Sequence, residues 1–144
     1  MRRLAREVAL QALFQMEFSE KVTLDLALEC ALAAEHNNKI NKKQEKDVLD
    51  YAKILVAGVK EHCSEINSII SVALENWRME RLGNTEKMIL RLTVYEIHFA
   101  VEKIPVGVAV NEAVELAKIY ADDEAPKFVN GVLGKIVRAA GQEK

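Results

Sequence analysis

An all-α fold is predicted by three features of the sequence. Apolar residues recur at helical spacing through nearly every segment, no stretch shows convincing strand-like alternation, and no Gly/Pro-rich linker, internal repeat or low-complexity tract interrupts the pattern. The segment from Asn84 to Val101, NTEKMILRLTVYEIHFAV, carries the clearest signal. At 100° per residue Met88, Leu92, Tyr95 and Phe99 form one apolar stripe, and Leu90, Val94, Ile97 and Val101 form a second roughly opposite it. A helix with two apolar faces must be covered on both sides, so the rest of the chain is expected to pack around this one. Polar groups keep two narrow edges, Lys87, Arg91 and His98 on one and Thr93 and Glu96 on the other. Asn84 or Thr85 is the expected cap, and Pro105 lies where the chain must leave helical geometry.

The first helix is expected over Arg3 to Phe18, with Leu4, Val8, Ala12 and Met16 beside Ala5, Ala9 and Leu13 on a broad apolar arc. The opposite arc holds Arg3 and Arg6 with Leu10 and Phe14, and Arg2 precedes them. Three cations at a helix start oppose the helix dipole, a cost of a few tenths of a kcal/mol per charge that an anion such as phosphate would relieve. A solvated charge cluster without a ligand is the competing explanation.

A second helix from Thr23, the expected cap, to about Glu35 is rich in Leu and Ala. His36 to Gln44, HNNKINKKQ, is expected to be a basic surface loop. A third helix follows from about Glu45 to His62, with Val48, Leu49, Ala52, Leu55, Val56 and Val59 inward. A fourth runs from Ser64, the expected cap, to about Asn76, with Ile66, Ile69, Ile70 and Ala73 inward. Trp77 is expected to plug the core. Beyond the central helix, Val108 to Tyr120 forms the sixth, with Val110, Ala113, Val114 and Ala117 packed. Pro126 opens the last helix, whose stripe is Val129, Val132, Leu133, Ile136, Val137 and Ala140, with Phe128 at its margin. Gly131 and Gly134 weaken that helix by up to about 1 kcal/mol each, which suggests a close approach of backbone or ligand.

The 144 residues suit one domain of two helical halves, roughly 1–63 and 64–144, able to fold without metal or disulfide. No apolar run reaches membrane-spanning length and no signal peptide is recognised, so a cytoplasmic protein is expected. Cys30 and Cys63 sit inside apolar helical patterns and are expected as reduced, buried thiols. A net charge of −2 creates no global attraction for polyanions, so any such binding must come from local clusters among the 20 basic residues. His36, His62 and His98 lack metal-ligand spacing, no phosphate-cradling glycine pattern occurs, and no catalytic constellation emerges. Two readings survive: an RNA-binding adaptor using the basic helix start, or a non-enzymatic protein-binding helical module without sequence-specific RNA recognition.

The segments RRLAREVALQALFQ, MILRLTVYEIHF, and VAVNEAVELAKIY followed by DDEAPKFVNGVLGKI are similar to those of the bacterial NusB family. The most specific parts are NEAVELAK, KFVNGVL and the Arg-rich start, while the region from Ser19 to Asn84 matches by helical pattern and length. The resemblance implies seven helices in two perpendicular bundles and a role in transcription antitermination. It implies binding of single-stranded boxA RNA from nascent ribosomal-RNA leaders together with NusE, a small-subunit ribosomal protein, within the RNA polymerase antitermination complex. It implies no cofactor and allows monomers or homodimers. The same fold occurs at the N-terminus of some ribosomal-RNA cytosine methyltransferases, but 144 residues leave no room for a catalytic domain, so no enzyme activity is expected. By family correspondence Arg2, Arg3 and Arg6 would contact RNA phosphates, and Lys127 and Phe128 match the family's KF pair near the RNA and partner surface; Arg91, on the exposed edge of the central helix, is a further expected RNA contact. Phe14 stands where the family commonly has Tyr, keeping apolar contact without a phenolic hydrogen bond. Glu86 and Glu124 occupy acidic positions expected near NusE.

Overall fold

The computed structural model describes residues 2–19, 21–35, 40–74, 82–101 and 104–142, and among them it contains seven α-helices and no strand. The chain divides into two compact units, Met1–Lys60 and Glu61–Lys144. Trp77, expected as a core plug, and His36–Lys39 of the expected basic loop lie outside the described residues. Cys30 is exposed and Cys63 half-buried, so neither thiol is buried as its apolar surroundings suggest.

In the first unit α1 (Arg2–Phe18) packs on α2 (Leu24–Glu35). The buried face of α1 is broader than its sequence arc suggests, because Leu10 is buried together with Ala5, Val8, Ala9, Ala12 and Leu13. Thr23 caps α2 as expected, accepting from the Leu26 amide at 3.2 Å. The third helix, α3 (Lys42–Glu61), begins three residues before the sequence expectation. The reason is a reciprocal cap inside the expected loop: the Gln44 amide donates to Asn41 Oδ1 and the Asn41 amide to Gln44 Oε1, both at 2.9 Å. An Asn-x-x-Gln pair thus satisfies two backbone donors that the helix start would leave open.

In the second unit α4 (Cys63–Leu74), α5 (Asn84–Val94), a π-helical turn (Tyr95–Phe99), α6 (Val106–Tyr120) and α7 (Ala125–Gln142) follow in order. Ser64 does not cap α4, since the helix already includes Cys63 and His62 takes the cap position, its carbonyl accepting from the Ile66 amide at 2.9 Å. Gly83, not Asn84 or Thr85, caps α5.

As the two-faced pattern predicts, α5 is the centre of this unit, packed on α4, α6 and α7. Met88, Ile89, Leu90, Leu92, Val94 and Tyr95 are all buried. One expected polar edge is covered as well, because Thr93 and Glu96 are each 3 % exposed. Thr93 is satisfied locally, its hydroxyl donating to the Ile89 carbonyl at 2.8 Å. The helix ends earlier than periodicity suggests: the Ala100 amide bonds back five residues to the Tyr95 carbonyl, and Ala100 turns to extended geometry. Val101, assigned to a stripe by an uninterrupted helix, therefore lies beyond it and is 99 % exposed. Around the π turn His62 stacks on Phe99 at 4.4 Å between ring centroids, with Tyr95 at 6.3 Å from His62. Burial, and then the Glu61 and Glu96 carboxylates, hold the Tyr95 phenol above its ordinary value of 10.0.

Two outcomes follow from these contacts. Replacing Asn41 by Ala removes half of the reciprocal cap, so urea unfolding should show a loss of about 0.5–2 kcal/mol. For Tyr95 the raised folded pKa means that the unfolded chain gives up the phenolic proton first. The contribution is therefore intact below the unfolded value near 10 and is lost as pH climbs through the folded one. Between pH ~8 and pH values above ~10, wild type should lose stability more steeply than Tyr95→Phe. Parallel pH dependences of the two urea midpoints would refute this role for the phenol.

Candidate nucleic-acid interface

The basic start of α1 is not uniform. Arg3 is exposed and shares a helix edge with Phe14, which is half-buried, and with Glu7 between them, all within about 40° on the wheel. Arg2 is half-buried and lies over the Tyr51 ring of α3, its guanidinium carbon 4.6 Å from the ring centroid. Such stacking holds the guanidinium plane in a defined orientation. Helical periodicity does not single out Tyr51, because an aromatic among inward positions of α3 looks like core.

Arg6 departs from the expectation of an open phosphate ligand: it is only 4 % exposed. On the wheel it falls between Leu10 and Leu13, within about 40° of each, and both are buried. Burial of that stripe carries Arg6 inward with it, so it is removed from the set of surface cations.

In the second unit Arg91 is half-buried, not standing off an open edge. Its Nε donates to Asn67 Oδ1 of α4 at 3.0 Å, its Nη1 lies 4.0 Å from the Met88 sulfur, and Asn67 Nδ2 in turn reaches Cys63 Sγ at 3.6 Å. Asn67 therefore positions the guanidinium, a role that helical periodicity does not reveal.

The start of α7 arranges the remaining candidates. Asp122 Oδ1 accepts from the Glu124 and Ala125 amides at 3.1 and 3.0 Å, fixing the turn into the helix. Glu124 then stands at the cap position, with Lys127 exposed and Phe128 half-buried one turn on. Glu86, Asp122 and Glu124 line one cleft of about 270 Å³ with Phe128 in its wall, so the two expected partner acids and one expected RNA-contacting aromatic share a surface. Glu86 also serves its own helix: as the third residue after Gly83 its carboxylate folds back over the helix start, where a Cβ on residue 83 would collide with it. Lys127 and Phe128 both border a second cleft, of about 630 Å³, toward α4. Among the described residues no backbone makes the expected close approach at the two glycines. A Cβ on Gly131 would meet nothing within 4 Å there, and one on Gly134 the Arg138 guanidinium at 3.3 Å.

Among the described residues no three His, Cys, Asp or Glu side chains converge as metal ligands, and no helix is long and apolar enough to cross a membrane. The class is thus an all-α protein of two helical units, one with arginines at a helix start, the other with an acid-lined cleft beside a lysine and an aromatic. The NusB family profile matches residues 3–138, and the chain belongs to the NusB family. It is 45% identical over 135 residues to the transcription antitermination protein NusB of Bacillus subtilis (strain 168), covering 94% of this chain and 93% of that protein. The NusB of Exiguobacterium sp. (strain ATCC BAA-1283 / AT1b) is 45% identical over 134 residues, 93% of this chain and 94% of its own length. Among solved structures, NusB of T. maritima superposes with a TM-score of 0.79 at 36% identity, over 96% of this chain and 91% of that one. A chain from the crystal structure of antitermination factors NusB and NusE in complex with dsRNA gives 0.78 at 35% identity, over 96% of each chain. Family membership places the protein among antitermination factors, not enzymes.

Proposed function

We propose that this protein acts in the cytoplasm in transcription antitermination, binding single-stranded boxA RNA of nascent ribosomal-RNA leaders together with NusE as part of the RNA polymerase antitermination complex. The observation that carries this reading is likeness, over 96% of each chain, to a chain from the crystal structure of antitermination factors NusB and NusE in complex with dsRNA. The separation of charge within the chain supports it. Arg2 and Arg3 lie at the α1 start, where backbone N–H groups and the dipole also favour phosphate. Single-stranded RNA is read by planes that stack on unpaired bases, and Phe14, Phe128 and the Arg91 guanidinium supply them. Lys127 adds an exposed cation beside Phe128. The carboxylates of Glu86, Asp122 and Glu124 repel phosphate and instead suit a basic protein, which supports their cleft as the NusE surface.

Replacing Arg2, Arg3 and Lys127 by Ala should weaken RNA binding and flatten its log-log salt dependence by about 0.7 for each phosphate that is no longer neutralised. Fluorescence anisotropy across a salt series measures this, and an unchanged slope would count against the assignment. Arg6 is left intact because its burial makes its removal a test of folding. With NusE present a boxA-like RNA should outcompete a scrambled one; equal binding would favour a protein-binding adaptor without sequence recognition.

The double variant Glu86→Lys, Glu124→Lys should lose affinity for NusE in calorimetric titration, while RNA binding is kept or strengthened by removal of negative charge. A circular dichroism melt guards against a folding defect, since Glu86 also supports the α5 start. Wild-type NusE affinity in the folded double variant would sink the cleft assignment.

A further inference from the structure

The α6–α7 face carries a groove of about 710 Å³ that RNA and NusE binding would engage only at Lys127. Its floor is aliphatic: Val106, Val110 and Val114 follow one another at helical spacing on α6, and Val137 joins them from α7. Val106 is 40 % exposed, and Val110, Val114 and Val137 are half-buried. Contiguous, partly uncovered aliphatic surface of this kind marks an interaction site more often than isolated apolar residues do. Only residues 121–124 connect the two helices, so they pack as an antiparallel pair. Lys127 near the start of α7 and Arg138 eleven residues later (138 − 127) therefore stand toward opposite ends of the groove, about 16 Å apart by helical rise. Among the described residues no carboxylate lines it.

We propose that this groove docks an acidic amphipathic helix of a partner protein. Aliphatic side chains of that helix would cover the valines, and two carboxylates about three turns apart would meet Lys127 and Arg138. Charge complementarity distinguishes the occupant: the cleft containing Glu86 and Glu124 suits a basic partner, whereas the only charged side chains lining this groove among the described residues are Lys127 and Arg138. Its lining also favours a peptide over RNA, because among the described residues it offers valines and no aromatic ring on which an unpaired base would stack. Gly107 leaves space at one end, since a Cβ there would meet nothing within 4 Å among the described residues. A docked helix can approach the α6 backbone closely at that point.

The test uses the full chain and a fluorescein-labelled synthetic helix of about 18 residues, long enough to span both cations. It carries Leu on one face and two Glu eleven positions apart; a second peptide has the same composition in scrambled order. Anisotropy should show saturable binding of the patterned peptide and at least about tenfold weaker binding of the scrambled one. Gly107→Leu, which fills the open end while favouring the helix, should weaken the patterned peptide by about tenfold and leave RNA affinity unchanged. Arg138→Glu should weaken it similarly, and a peptide with Lys in place of the facing Glu should recover that loss. Amide shifts in nitrogen-15 NMR spectra should centre on Val106, Gly107 and Val137. The proposal is overturned if the two peptides bind alike, if neither binds, or if folded Gly107→Leu retains wild-type peptide affinity. Displacement of the peptide by single-stranded RNA from the Lys127→Ala variant as well as from wild type would make RNA the occupant, and loss of the peptide site on concentration-dependent dimerisation would make it a second copy of this chain.

Discussion

Burial of α5 on every side is the constraint on which the second unit depends. A helix with apolar residues on two opposed faces cannot rest on a surface; it requires neighbours all round, and α4, α6 and α7 supply them. That enclosure makes both ends of α5 useful. At its start the Glu86 carboxylate folds over Gly83 and faces the acids that precede α7. Further along, Arg91 is the one half-buried residue between Met88 and Glu96, and α4 meets it with Asn67. A guanidinium tethered through one nitrogen keeps its plane in a defined orientation, which a free surface arginine does not.

The first turns of α7 sort charge by direction. Backbone donors at the helix start are satisfied by Asp122, and the acids there also complement the helix dipole. One residue separates Asp122 from Glu124, and two residues separate Glu124 from Lys127, so consecutive side chains leave the helix toward different surfaces. The result is an acid-lined cleft on one side and a cation-lined aliphatic groove on the other, with Lys127 and Phe128 at the border of a third. A protein with a net charge of only −2 can therefore offer distinct surfaces to basic proteins and to polyanions. Within the first unit the arginines show the same economy: Arg3 exposed, Arg2 laid over Tyr51, Arg6 buried.

What the sequence determined by itself was the all-α class, the order and number of helices, the enclosure of α5 and the Thr23 cap, because each depends on spacing within one segment. The family resemblance carried by the Arg-rich start and the NEAVELAK and KFVNGVL segments was legible in the same way. The α3 start was also present as Asn41-x-x-Gln44, a local signal obscured by its polar, lysine-rich surroundings. Only the tertiary structure decided which polar residues remain open. A helical wheel assigns an angle but not what covers it, so Arg6, Thr93 and Glu96 went inside with their apolar neighbours, and the π turn left Val101 outside. Asn67 under Arg91, Tyr51 under Arg2 and the meeting of Glu86 with Glu124 join residues 24 to 49 positions apart, and contacts at that separation arise from packing, which no local period encodes.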